Sequence, residues 1–249
     1  MKYACQNATK ELLDHMYPVP EYFKVDPQYL RGLDEIEFID GFRCLWNALR
    51  DMYKDIIEDP ESWGLPCSED TLYGEENYNG FDKKRADSGN SSRRLMDYLK
   101  TLCQIGEIKE GRLVIPYEAY IERLKAGKTN IENTAAGITN AASGALINRL
   151  TFFGFNFTGF NGKAFDKDIA RFEVSYDDNK NLIPALKGYC MTSYRRGKFA
   201  ICQYIAVAAT GTIPEPVCAF TFSQYFIGQQ REFFNKFNSK MLAEGANAA

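Results

Sequence analysis

The chain contains a single histidine, His15, and no two of its cysteines are separated by exactly two residues. Zinc sites built from several histidines or from CxxC pairs are therefore excluded, as are metalloprotease motifs that need two histidines. No serine lies in a GxSxG motif, which removes the nucleophile elbow of the α/β-hydrolases. The sequence thus predicts no catalytic residue, no metal site and no cofactor.

Long hydrophobic runs are also missing. The longest apolar stretch, residues 199–209, is interrupted by Gln203 and is too short to span a bilayer, and the N-terminus has no apolar signal core. The seven cysteines are odd in number and scattered, a pattern typical of reduced thiols rather than of a disulfide framework. These absences predict a soluble, cytoplasmic protein that has no membrane partner.

The whole chain has no excess of positive charge: 30 basic residues stand against 33 acidic ones, which gives a net charge of −3. A nucleic-acid-binding protein of this composition needs a local basic patch. One such patch lies between residues 82 and 100. This segment contains three acidic residues and six basic ones, Lys83, Lys84, Arg85, Arg93, Arg94 and Lys100. With 45% hydrophobic and 14% aromatic residues, the rest of the chain is typical of a globular protein that has an aromatic-rich core.

A helix-ending pattern occurs twice, 48 residues apart, at 98–106 and 146–154. Large apolar side chains recur at matching offsets, and each run ends on a glycine, Gly106 or Gly154. We interpret Gly106 as a residue that permits the left-handed backbone conformation found at helix ends. Residues 107–115 then predict two short strands around a Glu-Gly turn. After the second copy, 155–162 and 171–176 alternate apolar and polar residues as strands do, with a hairpin-turn signal at Asn161-Gly162.

Other segments predict helices and loops. Apolar residues follow the helical period over 39–58, and further helices are predicted at 8–16, 181–210 and 223–241. Residues 60–90 carry repeated turn signals and predict a long loop. Residues 126–144 are low in charge and rich in small residues, which suits either an exposed linker or a buried helix.

The order of helix, glycine and hairpin resembles that of winged-helix domains. The resemblance covers roughly residues 88–115 and, less completely, 143–176. It implies an α+β fold that is predominantly helical, with winged-helix-like units present once or twice in tandem. We accordingly divide the chain into an N-terminal helical region with the first unit, 1–126, and a second unit with C-terminal helices, 127–249.

In winged-helix proteins the helix before the wing usually enters the DNA major groove. The resemblance implies that Asn90, Arg93 and Lys100 face the bases, with Ser91 beside them at the start of the helix. Arginine pairs with guanine edges and asparagine with adenine. Arg94, Lys109 and Arg112 would then contact phosphates. The leading hypothesis is thus a cytosolic regulatory protein that binds double-stranded DNA.

Two other functions remain open. The aromatic-rich second half suits a module that binds another protein or itself without nucleic acid. Phe155, Phe157 and Phe160 in this half could stack on bases, although their alternation favours core packing. A third hypothesis is an enzyme whose site is assembled from scattered polar residues, which a single sequence does not reveal.

Overall fold

A computed structural model describes residues 1–14, 16, 19, 25, 27–65, 67, 94–126 and 140–191. Within these ranges the fold is α+β and predominantly helical, as predicted. Two 3-10 turns, Pro27–Tyr29 and Glu61–Trp63, complete the regular structure there. The helices are α1 (Ala4–Asp14), α2 (Glu35–Glu58), α3 (Arg94–Ile105), α4 (Tyr117–Ala126), α5 (Asn140–Phe152) and α6 (Leu182–Met191), and the strands are β1 (Glu107–Lys109), β2 (Arg112–Pro116), β3 (Phe155–Phe157) and β4 (Arg171–Tyr176).

The longest helix, α2, confirms the helix predicted over 39–58 and begins four residues earlier. A capping box explains the earlier start. The Asp34 carboxylate accepts a hydrogen bond of 2.8 Å from the Glu37 backbone N–H, and the Glu37 carboxylate accepts one of 3.1 Å from the Asp34 N–H. Two otherwise unpaired backbone donors are thereby satisfied. The apolar face of α2, including Phe42, Leu45 and Leu49, is fully buried.

Four antiparallel strands form one sheet in the order β1-β2-β4-β3. The predicted hairpin is confirmed: β1 pairs with β2, and Glu110 and Gly111 form its turn with φ values of 50° and 77°. Positive φ at both turn residues is what a tight two-residue hairpin requires. Leu113 and Ile115 point into the core from β2, where they meet the buried Phe172 and Val174 of β4.

The sheet joins the two copies of the repeated pattern. Strand β2 follows the first copy, β4 follows the second, and the two strands pair antiparallel from Leu113↔Val174 to Pro116↔Arg171. Strands from both predicted regions, 1–126 and 127–249, thus lie side by side in the same sheet. Phe155 and Phe157 of β3 are buried, which confirms core packing rather than base stacking for these two rings.

The two terminal glycines of the repeat serve different purposes. Gly154 has a φ of 88°, the left-handed conformation that ends many helices. Gly106 does not have a positive φ, so our interpretation of it is wrong. A Cβ atom on Gly106 would lie 2.7 Å from side-chain atoms of both Leu113 and Ile115. The residue is therefore small because the end of α3 presses against β2.

The closest helix packing in the core joins α2 and α6. A Cβ atom on Gly41 of α2 would lie 2.3 Å from the carbonyl oxygen of Asn181, just before α6. One on Gly188 of α6 would lie 2.2 Å from the carbonyl oxygen of Tyr29. Neither position has room for a side chain. The absence of a side chain at both glycines therefore sets how closely these segments approach.

Several predicted elements fall partly or wholly outside the described residues. Helix α6 is the described part of the helix predicted at 181–210. The helix predicted at 223–241 and most of the loop predicted at 60–90 lie outside the described ranges. Of the segment 126–144, residues 127–139 also lie outside, and α5 begins at Asn140.

Three helical glycines give a matched stability test. We expect Gly41→Ala and Gly188→Ala each to lower the free energy of unfolding by about 2–3 kcal/mol, because the new methyl group overlaps backbone atoms. Gly144→Ala in α5 places its Cβ 3.5 Å from the nearest atom and should raise it by about 0.5–1 kcal/mol. Urea denaturation measures all three. Equal stability of the Gly41 and Gly144 variants would contradict the packing described here.

Candidate interaction surface

Of the residues predicted to read DNA bases, Lys100 alone lies among the described residues. Asn90, Ser91 and Arg93 lie outside the described residues. Arg94 and Lys100 are half-buried on α3. Gln104 is the only exposed residue of α3, because the helix is covered by α6 on one side and by β2 and α4 on others.

The two predicted phosphate contacts on the hairpin are brought together. Lys109 of β1 and Arg112 of β2 are cross-strand partners next to the turn, and both are exposed. The Arg112 guanidinium also lies 3.0 Å from the Glu173 carboxylate on β4. Such an exposed ion pair contributes about 0–1 kcal/mol and leaves the arginine able to exchange partners.

A second surface is centred on the Asp55 carboxylate of α2. This group accepts hydrogen bonds from the indole Nε1 of Trp63 at 2.7 Å and from Nε of Arg149 at 2.9 Å. The Nη2 atom of Arg149 donates to its other oxygen. The carboxylate is 17% exposed and the arginine side chain 23%, so the ion pair is screened less than a surface pair. Three elements, α2, α5 and the turn Glu61–Trp63, are thereby joined.

Phe152, the last residue of α5, lies on top of this ion pair. Its side chain is 71% exposed, and the Arg149 guanidinium lies 4.8 Å from the centre of its ring. Phe153 packs edge-on against Phe152 at 5.2 Å and stacks on the buried Trp63 at 5.9 Å. Cation–π and aromatic contacts of this kind each contribute about 0.5–1.5 kcal/mol. An apolar ring is thus held in place at the protein surface.

The sequence analysis did not single out Phe152, although the repeat contains the signal. In the first copy Tyr98, Leu99 and Leu102 are buried, and their counterparts 48 residues later, Leu146, Ile147 and Leu150, are buried too. The exposed Gln104 of the first copy corresponds to Phe152 of the second. The same exposed position of the repeat is thus occupied by a polar side chain in the first copy and by a phenylalanine in the second.

Three buried phenol groups, those of Tyr53, Tyr98 and Tyr120, differ in their hydrogen bonding. The hydroxyls of Tyr98 and Tyr120 lie 3.1 Å apart and share a hydrogen bond. The Tyr53 hydroxyl is fully buried and has no hydrogen-bond partner among the described residues. Burial raises the pKa of Tyr53 and of Tyr98, and a nearby acid, Asp97, raises the pKa of Tyr53 further. Both phenols therefore stay protonated at neutral pH.

The five described cysteines are free thiols, and four of them contact one another in two pairs. Cys190 of α6 contacts Cys103 of α3, and burial first, then this contact, raises its pKa well above the ordinary value. Cys67 contacts Cys5, and burial first, then Cys5 and nearby acids, raises its pKa to about 11. Thiols with raised pKa values are poor nucleophiles at neutral pH. The thiols of Cys190 and Cys67 therefore stay protonated at neutral pH.

Acidic side chains surround Cys44, which is half-buried on α2, and Tyr176 at the end of β4. Burial raises the pKa of the Cys44 thiol, and Asp40 and Asp178 raise it further. The pKa of Tyr176 is raised by burial and then by Cys44 and nearby aspartates. Even so, no group of acids, cysteines or histidine in the described residues has the arrangement needed to hold a metal ion.

Comparison with known proteins returned no match to a family model, to a curated protein or to a solved structure. Among the helices of the described ranges, none combines the length and the apolar character needed to cross a bilayer.

Removing the hydroxyl of Tyr53, which has no hydrogen-bond partner among the described residues, and removing that of Tyr98, which has one, should change the free energy of unfolding in opposite directions. Tyr53→Phe removes a buried hydroxyl that has no partner, and we expect it to raise the free energy of unfolding by about 1 kcal/mol. Tyr98→Phe breaks its buried hydrogen bond to the Tyr120 hydroxyl, which keeps a hydrogen bond to Ser143, and should lower the free energy of unfolding by about 1 kcal/mol. Urea unfolding curves measure both variants. A destabilised Tyr53→Phe protein would show that this hydroxyl does have a partner.

Proposed function

We propose that this protein is an interaction module that binds a protein partner through the surface around Phe152. The observation that carries this proposal is that a large apolar ring is 71% exposed while the residues beneath it are fixed by the Asp55–Arg149 ion pair. Burying a phenylalanine side chain contributes about 1.5–3 kcal/mol, which remains available to a partner. In this proposal the module acts as a regulatory protein by binding its partner. Its free thiols fit a cytoplasmic location, where cysteines stay reduced.

Preorganisation supports binding at this surface. Aromatic and arginine side chains dominate the binding energy of protein interfaces, and ordering each mobile side chain on binding costs about 0.5–1.5 kcal/mol. Here the Arg149 side chain is already held by two hydrogen bonds to Asp55, and Phe152 is held between Arg149 and Phe153. Much of that ordering cost is therefore met when the chain folds.

Site-specific photocrosslinking in cells that express the full chain tests this function. We expect p-benzoylphenylalanine at position 152 to give a discrete protein adduct. The same residue at position 104, the exposed counterpart in the first copy, should give none. An excess of the wild-type protein, which lacks the photocrosslinker, should reduce the yield of this adduct. The same excess of the Phe152→Ala protein should leave the yield unchanged. Equal adducts at positions 152 and 104, or none at 152, would refute the proposal.

Duplex DNA binding through the β1–β2 hairpin is the second candidate function. The exposed, adjacent cations Lys109 and Arg112 favour it, since winged-helix proteins use such hairpins beside a DNA-bound helix. In this proposal Arg94 and the hairpin contact phosphates, and Asn90, Arg93 and Lys100 contact the bases.

Salt dependence tests the DNA candidate directly. Each phosphate contact contributes a slope of about −0.9 to the plot of log affinity against log salt. We expect Lys109→Ala with Arg112→Ala to flatten this slope by about 2 units on random duplex DNA. Lys10→Ala with Lys54→Ala removes the same charge from exposed positions on α1 and α2 and should leave the slope unchanged. An equal effect of both pairs, or no binding at low salt, would refute this candidate.

A further inference from the structure

The surface around Phe152 has an acidic rim, defined here as Glu58, Asp59 and Glu61. Glu58 is the last residue of α2, one turn after Asp55, and Asp59 follows it directly. Glu61 opens the turn that carries Trp63, whose ring stacks on Phe153. All three carboxylates are exposed. The rim therefore lies on the same two elements that hold the base of the Phe152 surface.

The carboxylates of the acidic rim are not neutralised by ion pairs within the described part of the chain. Asp59 accepts hydrogen bonds from the backbone and side chain of Ser62, which lower its pKa, and Arg149 lowers it further. Glu61 accepts a hydrogen bond of 3.4 Å from the Tyr3 hydroxyl, which carries no charge at neutral pH. Arg149, the cation that lowers the pKa of Asp59, is already paired with Asp55.

We infer that the partner at this surface is a basic polypeptide segment that places an apolar side chain on Phe152 and lysine or arginine side chains against the acidic rim. This inference rests on the proposed interaction function and names the chemistry of its partner. Opposite charges around an apolar centre steer encounter and reject partners of the wrong sign. Nucleic acid and acidic proteins are accordingly disfavoured here, because their negative charges would meet three carboxylates.

The apolar centre and the charged rim have separable roles. Phe152 loses water whichever apolar side chain covers it, so its contribution does not depend on the sign of the partner's charge. The rim distinguishes between partners, because exposed carboxylates attract cations and repel anions over about 8 Å at physiological salt. A test can therefore vary the peptide charge and the protein rim independently.

The test uses the full-length chain and two fluorescein-labelled peptides, one of alternating lysine and leucine and one of alternating glutamate and leucine. We expect fluorescence anisotropy to show binding of the lysine peptide only. Glu58→Gln with Glu61→Gln should weaken it about tenfold. Glu118→Gln with Glu122→Gln, which removes the same charge from exposed positions on α4, should change it less than twofold. Phe152→Ala should weaken it by about tenfold or more.

The possible outcomes separate the two levels of the proposal. If the rim variant binds the lysine peptide as tightly as the α4 variant does, the inference of a basic partner is overturned. If the glutamate peptide binds as well as the lysine peptide and Phe152→Ala weakens both, the basic partner is again overturned while the interaction function stands. If Phe152→Ala changes no binding and position 152 gives no crosslink, the interaction function falls as well.

Discussion

The arrangement of the described structure depends on the close approach of α2 and α6. At Gly41 and Gly188 the backbone of one segment lies where a side chain of the other would be, so the two helices and the turn before α2 pack with no space between them for a side chain at these points. Phe42 and Tyr189 pack beside this crossing with ring centres 6.0 Å apart. Because α6 follows β4 directly, the same contact positions the sheet against the N-terminal helices. Interiors this dense tolerate little added volume.

The position of the surface around Phe152 depends on this packing of α2 and α6. With α2 fixed by its apolar face, Asp55 is directed towards α5 and the turn Glu61–Trp63, and its carboxylate is satisfied there by Trp63 and Arg149. A half-buried carboxylate needs such donors, since a charge left unpaired away from water costs several kcal/mol. The stability of the fold and the orientation of the exposed ring are thus coupled through one group. A partner at Phe152 would bind a surface whose shape is set by the core.

Local structure could be predicted from the sequence, and contacts between distant segments could not. The period of apolar residues in α2 and the Glu110-Gly111 turn are properties of neighbouring residues, and both are confirmed. By contrast, the pairing of β2 with β4 depends on how two distant hairpins meet. The same limitation explains the error at Gly106, where the constraint comes from side chains on β2 rather than from the backbone. It also explains why α3, amphipathic in sequence, is covered on several sides.

The candidate sites show the same difference between local structure, which could be predicted, and contacts between distant segments, which could not. Lys109 and Arg112 are adjacent because a short hairpin forces them to be, and the sequence predicted that proximity. Phe152 has core residues as neighbours in the repeat, and its correspondence to the polar Gln104 is what distinguishes it from them. Both copies bury their first, second and fifth residues and expose the offset shared by Gln104 and Phe152, whereas Thr151 is exposed where Cys103 is buried. The residue at that exposed offset, together with nearby charges such as those of Glu58, Asp59 and Glu61, then determines what the surface can bind.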